Sequence, residues 1–172
     1  MQHSNFPFEV KSVSESGDGT FAGFASVYNN VDLQGDSVQP GAFTKTLRDA
    51  KGSWIVLAGH DRKEEIGFAS LEDSQHGLKV NGHLVLHTDK AKQTYALMRA
   101  KAIRGMSIGY DTVRSVMKDG VRQLTELKLY EVSLTPFPAN ELALVTSVKD
   151  ASDPIAQFRR VMLLCAREIR GE

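Results

Sequence analysis

The sequence has little of three things that mark proteins for special environments: cysteine, net charge and long apolar runs. Its 172 residues contain one cysteine, Cys165, which excludes an intramolecular disulfide and favours a reducing, cytosolic compartment. Basic and acidic side chains balance at 21 each, so no overall positive field exists to bind nucleic acid. No apolar stretch approaches the roughly 18 residues that span a bilayer, and the start lacks a signal-peptide pattern. We therefore expect a soluble protein that binds neither nucleic acid nor membrane.

Apolar and polar residues alternate at strand period through the first two-thirds of the chain. The hairpin signal at residues 118–120 joins the two longest predicted strands, and Asn81-Gly82 is typical of a tight turn or bulge. A β-rich α+β fold follows, an antiparallel β-barrel with two or three peripheral helices, because closure hides strand edges. The predicted strands are 6–14, 21–28, 54–60, 66–71, 78–86, 104–117, 121–135 and 141–148, and the predicted helices are 42–50, 89–101 and one that begins at Asp153-Pro154.

The end of the chain differs from the barrel. Residues 1–150 are predicted to form the barrel domain, and residues 151–172 a linker followed by a helix with an apolar stripe that includes Cys165. A buried thiol is the expected state of that cysteine. The helix either packs on its own barrel or serves as a dimer or targeting element.

Ser107 lies in the pattern Gly105-Met106-Ser107-Ile108-Gly109. The pattern is that of the nucleophile elbow of α/β-hydrolases, but an elbow leads into a helix and requires a later histidine, and this sequence offers neither. On a strand, Gly105, Ser107 and Gly109 share one face. Two bare positions beside a hydroxyl leave room for an extended substrate backbone, so both glycines are substrate-groove candidates. A glycine-rich crossing with an incidental serine is the alternative.

A nucleophilic serine needs a base, and the base needs an acceptor that orients it. His60 ends an apolar strand that carries Trp54, so we expect its side chain to be partly buried. Glu131 shares a strand face with two leucines, where a carboxylate is costly without a donor partner. Asp61 is a rival orienter, although successive strand residues point oppositely. A structural histidine, and a carboxylate paired with Arg or Lys, remain the alternatives.

No metal or other cofactor is predicted. His83 and His87 share a strand face, but no third ligand recurs near them. Asp32 and Asp36 offer too few oxygens for a calcium loop, and turn capping is the better interpretation.

Seven segments in order resemble the prohead maturation proteases of tailed bacteriophages, whose fold is related to herpesvirus assemblins. The resemblance runs from about Phe21 to Lys149. Its strongest parts are the stretch Arg104 to Tyr110 and the stretch Tyr130 to Asn140; the others are Gly23 to Tyr28, Asp32 to Phe43, Ala58 to Asp61, Ile66-Gly67 and Gly77-Leu78.

The resemblance implies a serine endopeptidase with Ser107 as nucleophile, His60 as general base and Glu131 as the orienting acid. The loop after Glu131 is the oxyanion-hole candidate by resemblance. Pro136 and Pro138 have no N–H, which favours the amides of Ala139 and Asn140.

The resemblance also implies a setting. The expected substrates are scaffold and capsid-protein segments and the protease itself, cleaved inside an assembling procapsid in the bacterial cytoplasm, with a dimer as the expected assembly. An inactive β-barrel assembly module and a small-ester hydrolase are the alternative functions.

Overall fold

Strands dominate the computed structural model, which describes residues 17–50 and 52–149. In chain order the elements are β1 (Thr20–Val27), β2 (Asp36–Val38), α1 (Thr44–Asp49), β3 (Trp54–Ala58), β4 (Glu65–Asp73), β5 (Gly77–Leu84), α2 (Asp89–Arg99), β6 (Gly105–Lys118), β7 (Val121–Thr135) and β8 (Val145–Val148).

One curled sheet holds all of these strands, in the order β2-β7-β3-β4-β5-β1-β8 with β6 on the second edge of β7. The curl returns on itself because Met106 N donates to Ala143 O at 2.8 Å and Val145 N to Arg104 O at 2.8 Å, which joins the start of β6 to the segment leading into β8. The predicted β-barrel class is therefore confirmed. Pairing is not antiparallel throughout, since β2 and β3 both run parallel to β7.

The core fills the concave side of the sheet, because period-2 alternation sends every second side chain there. Its largest fully buried members are Phe43, Ile66, Leu78, Leu84, Met106, Leu124, Leu127 and Leu134. Phe43 stacks on Tyr28 with ring centroids 6.1 Å apart, which fixes the chain just before α1.

Two local predictions about strands were wrong. The Asn81-Gly82 pair forms no turn: Gly82 pairs with Phe21 within β5, and a Cβ there would lie 2.1 Å from the Phe21 ring. The glycine is thus a seat for an aromatic ring. The helix predicted to begin at residue 89 does begin there, with Thr88 as its N-cap: the Thr88 hydroxyl accepts from Ala91 N at 3.3 Å. Strand β2 was not predicted, and β8 begins only at Val145.

Some predictions fall on residues outside those described: the strand at 6–14, the helix from Asp153, the linker at 151–154 and the surroundings of Cys165. Asp18–Lys149 forms one compact unit. Among the described residues no helix has the length and apolar character needed to cross a bilayer.

We predict that Gly82→Ala destabilises the fold, because the new methyl would overlap the buried Phe21 ring. Overpacking of this kind costs about 1–3 kcal/mol of the free energy of unfolding, measured by urea denaturation. Asn81→Ala, one residue away and exposed, is the control and should change it by less than about 0.5 kcal/mol. Equal effects of the two changes would contradict this packing account.

Candidate active site

The register between β6 and β7 brings the predicted chemical groups to one face. Ser107 pairs with Ser133, and Gly109 pairs with Glu131. Directly opposite residues of antiparallel strands project to the same side, with Cβ atoms about 5 Å apart. The same alternation buries Met106 on the opposite side of β6. Ser107 and Glu131 therefore belong to one surface.

A turn, and not a strand, presents His60 to this face. Strand β3 ends at Ala58, and Gly59 and His60 follow with φ values of 62° and 64°. The left-handed conformation is uncommon for a residue with a Cβ and clusters at functional sites. It is held here because Gly59 N donates to Leu134 O at 3.0 Å and His60 N donates to Ser133 Oγ at 3.0 Å. The prediction that His60 continues the strand was wrong.

The imidazole of His60 contacts the Glu131 carboxylate. Nδ1 lies 2.7 Å from Glu131 Oε1. The carboxylate can only accept, so Nδ1 carries the proton and Nε2 of the neutral ring keeps its lone pair. The hydrogen bond that His60 donates to Glu131 raises the pKa of His60 above its ordinary value. Partial burial opposes this rise, and the negative charge of Glu131 adds to it.

Ser133 is a site residue that the sequence analysis missed. Its side chain is fully buried, its hydroxyl donates to Glu131 Oε2 at 2.8 Å, and its oxygen accepts from His60 N. Ser133 thus holds the Glu131 carboxylate and the backbone of His60 together. The signal in the sequence is its spacing, since a residue two positions from Glu131 on a strand shares its face.

The two bare glycine positions are covered by the chain itself. A Cβ on Gly109 would lie 2.5 Å from Glu131 Oε1, and one on Gly105 would lie 2.6 Å from Pro138 Cδ. Gly109 gives Glu131 the space to reach His60. Gly105 lets the loop after β7 close over β6, and Pro138 leaves no room above it for a substrate backbone. A substrate contact stays a prediction for Gly109, which lines a cavity of about 730 Å³.

Ser107 lines a cavity of about 220 Å³, named here the Ser107 cavity. His60, Ala139 and Asn140 also line it, so four of the predicted site residues share one space. Within the described residues no hydrogen bond joins the His60 ring to the Ser107 hydroxyl. Such contacts are commonly long without substrate and tighten when it binds.

Two backbone N–H groups of the loop after β7 make no hydrogen bond with the described residues. Phe137 N donates to Thr135 Oγ1 at 3.2 Å, whereas the amides of Ala139 and Asn140 donate to no acceptor among residues 17–50 and 52–149. The side chain of Asn140 anchors the loop, because its amide group donates to Val27 O at 2.9 Å. These two N–H groups therefore remain available beside Ser107.

Another cavity, of about 730 Å³, shares lining residues with the Ser107 cavity. His60 and Tyr110 line both cavities. The remaining walls mix apolar and charged groups, which suits a polypeptide more than a single small molecule; they include Ile55, Leu57, Arg62, Glu65, Asp111 and Tyr130.

The rival candidates have other contacts. Asp61 accepts from Lys63 N at 2.9 Å and so caps its own turn. Asp32 accepts from the amides of Gln34 and Asp36, both at 2.9 Å, which confirms turn capping. The His83 ring packs on Phe68 with centroids 5.3 Å apart. Within the described ranges no group of three potential ligands could hold a metal ion.

We predict that Glu131→Gln lowers the pKa of His60, because the amide removes both the charge and the stronger acceptor that raise it. Histidine resonances followed by NMR against pH measure the change. The direction of this pKa shift also determines how stability depends on pH. Because the pKa of His60 is raised in the folded state, the interaction stabilises the fold below pH 6.5, and this stabilisation is lost as pH rises through the raised pKa.

Glu126→Gln is the matched control for this titration. Glu126 lies on the same strand but pairs with Lys45 at 3.0 Å, so its loss should leave the pKa of His60 unchanged. An unaltered His60 titration in Glu131→Gln would contradict the assignment.

Comparisons with known proteins identify the family of this chain. The family model described as caudovirus prohead serine protease matches residues 6–158. The prohead protease of Enterobacteria phage HK97 is 32% identical over 162 residues, which cover 89% of this chain and 70% of that protein.

Among solved structures, the protease of KSHV in complex with a hexapeptide phosphonate inhibitor superposes with a TM-score of 0.54 and 16% identity. The match covers 81% of this chain and 68% of that one, and it shows a shared fold. The match of the family model across most of the sequence shows the family itself: the chain belongs to the caudovirus prohead serine proteases, and it is a peptidase.

Proposed function

We propose that this protease cleaves peptide bonds through an acyl-enzyme on Ser107, with His60 as general base and Glu131 as the acid that orients it. The hydrogen bond between His60 Nδ1 and Glu131 Oε1, at the wall of the cavity that Ser107 lines, is the observation that carries the proposal. It holds Nε2 as the acceptor, which is the state a general base requires.

The reaction then follows ordinary acyl transfer. His60 Nε2 takes the proton of the Ser107 hydroxyl while Oγ bonds to the substrate carbonyl carbon, and the carbonyl electron pair moves onto oxygen. The intermediate collapses when the C–N bond breaks and His60 returns the proton to the leaving amine. Water repeats the sequence in reverse and releases the acyl group.

The amides of Ala139 and Asn140 are the proposed donors to the oxyanion. Both residues line the cavity with Ser107, and neither amide has an acceptor in the described part of the chain. Loss of one such donor costs about 3–4 kcal/mol of transition-state stabilisation. Thr135 holds the neighbouring Phe137 amide, so that N–H is not a candidate.

The proposed substrates are scaffold and capsid-protein segments and the chain itself, inside a procapsid assembling in the bacterial cytoplasm. Support comes from the family name and from the two cavities that His60 lines, which together offer space for an extended polypeptide. A dimer stays a prediction.

We predict that diisopropyl fluorophosphate labels Ser107 in a preparation competent for processing, as mass spectrometry of the modified peptide would show. Ser107→Ala should abolish labelling and lower peptide cleavage on the order of 10⁶-fold, since the nucleophile is lost. Ser115→Ala, an exposed serine of the same strand, should behave as wild type.

Cleavage retained by Ser107→Ala would refute the proposed nucleophile. Efficient turnover of small esters without cleavage of any polypeptide would favour an ester hydrolase. An absence of both processing and Ser107 labelling in wild type, with Ser107→Ala behaving identically, would favour an inactive assembly module.

We predict that Gly109→Ala folds normally but cleaves at least about tenfold more slowly. The new methyl would lie 2.5 Å from Glu131 Oε1, and a flexible carboxylate moves more easily than the sheet, so Glu131 leaves His60. A double-mutant cycle with Glu131→Ala tests the route: the glycine change should cost almost nothing once the carboxylate is absent. Additive losses would contradict it.

A further inference from the structure

An apolar surface begins beside Glu131, on the face of the sheet opposite the core. Val56 of β3 pairs with Val132 of β7 and is fully buried. Its neighbour Ile55 therefore projects to the outer face, beside Glu131, because side chains alternate along a strand. Ile55 in turn pairs with Phe68 of β4. Glu131, Ile55 and Phe68 thus lie in one row across three neighbouring strands.

The two apolar side chains of this row are open to solvent. Ile55 is 45% exposed and Phe68 is 47% exposed. Residues directly opposite each other in an antiparallel pair have Cβ atoms about 5 Å apart, so the two side chains form one contiguous patch, named here the Ile55–Phe68 surface. Contiguous exposed apolar surface is typical of binding sites.

The ring of Phe68 is held in place from the next strand. His83 of β5 pairs with Phe68, and the two rings lie with centroids 5.3 Å apart and planes tilted by 37°. A ring packed in this way has little conformational freedom to lose when a ligand covers it, which lowers the entropic cost of binding. Phe68 is therefore a preorganised contact.

Ile55 joins this surface to the proposed active site. It lines the cavity of about 730 Å³ together with His60 and Glu131. The lining residues of that cavity come from β6, β7, β3 and β4, which are four neighbouring strands, so the cavity crosses the strands of the sheet. A polypeptide that follows the cavity from β6 to β4 passes over Ile55 and reaches Phe68. This continuity favours the substrate as the occupant of the surface.

We propose that Ile55 and Phe68 are specificity-determining residues of this protease, which bind an apolar side chain of the substrate polypeptide. This inference rests on the proposed function of Ser107. Strand β4 is the third strand from β6, and neighbouring strands are about 4.8 Å apart, so Phe68 lies roughly 14–16 Å from the nucleophile. An extended peptide advances about 3.3–3.6 Å per residue. The apolar residue of the substrate is therefore expected about four or five positions from the scissile bond.

The contact selects a substrate without taking part in the chemistry. Phe68 and Ile55 would each be covered by a side chain of the size of leucine, and burial of that much apolar surface favours binding by about tenfold or more. A serine at the same substrate position would gain almost none of this, because its side chain buries little apolar area. We therefore expect the surface to appear as a sequence preference remote from the cleaved bond.

The test determines the cleavage preference of the full chain in a preparation competent for processing. Products from a proteome-derived peptide library are identified by mass spectrometry, and wild type should favour leucine, isoleucine or phenylalanine about four or five residues from the scissile bond. Two peptides of the preferred sequence, with leucine or serine at that position, should then differ about tenfold in kcat/KM. Ile55→Ser and Phe68→Ser should each lower this ratio at least about threefold, and the double variant should bring it to about one.

Val116→Ser is the matched control. Val116 is 54% exposed on β6 but does not line the cavity, so this variant should keep the wild-type ratio. Because the ratio compares two peptides on the same enzyme, a general loss of activity or of folded protein cancels.

Several outcomes overturn the inference and leave the proposed function standing. In the first, wild type is labelled at Ser107 by diisopropyl fluorophosphate but shows no apolar preference in that part of the substrate. In the second, the ratio is unchanged in Ile55→Ser and Phe68→Ser, or falls equally in Val116→Ser. In the third, the two variants alter the sedimentation of the protein and not the ratio, which makes the surface a contact between copies of the chain. Failure of wild-type labelling at Ser107 overturns the inference and the proposed function together.

Discussion

The antiparallel register between β6 and β7 is the constraint on which the site depends. It sets Ser107 against Ser133 and Gly109 against Glu131. A slip of one residue would turn Ser107 into the core and bring Met106 to the surface of the site, because side chains alternate at every step. The buried leucines of β7 resist that slip, since it would expose them. The hydrophobic core thus determines the positions of the reactive groups.

The position of His60 depends on β7 as well. His60 reaches the site only because Ser133 and Leu134 of β7 accept the amides of the turn after β3. Those contacts hold two successive residues in the left-handed region, which costs free energy unless the surroundings impose it. The base is therefore positioned by its backbone, and Glu131 has only to orient a ring that is already in place. Such division of labour suits a histidine that is 44% exposed.

The sequence predicts what local rules control. Alternation and the turn at residues 118–120 locate the long hairpin, and both ends of the strand Val121–Thr135 agree with the prediction. Alternation alone puts Ser107 and Gly109 on one face. Local rules of this kind cannot predict contacts between distant segments. Asn81-Gly82 is typical of a turn, but in the structure the glycine leaves space for the Phe21 ring. The parallel pairing of β3 with β7 and the hydrogen bond from the His60 amide to Ser133 likewise depend on partners more than 70 residues apart.

Some polar groups of the site are hydrogen-bonded within the protein, whereas others are free to bind a ligand. Both carboxylate oxygens of Glu131 have donors, in His60 and Ser133, and the Ser133 hydroxyl both donates and accepts. The amides of Ala139 and Asn140 have no acceptor in the described part of the chain, and both residues line the Ser107 cavity. Each of them can donate. In the proposed mechanism, these two donors beside a serine and a neutral imidazole match a negative charge that exists only during the reaction.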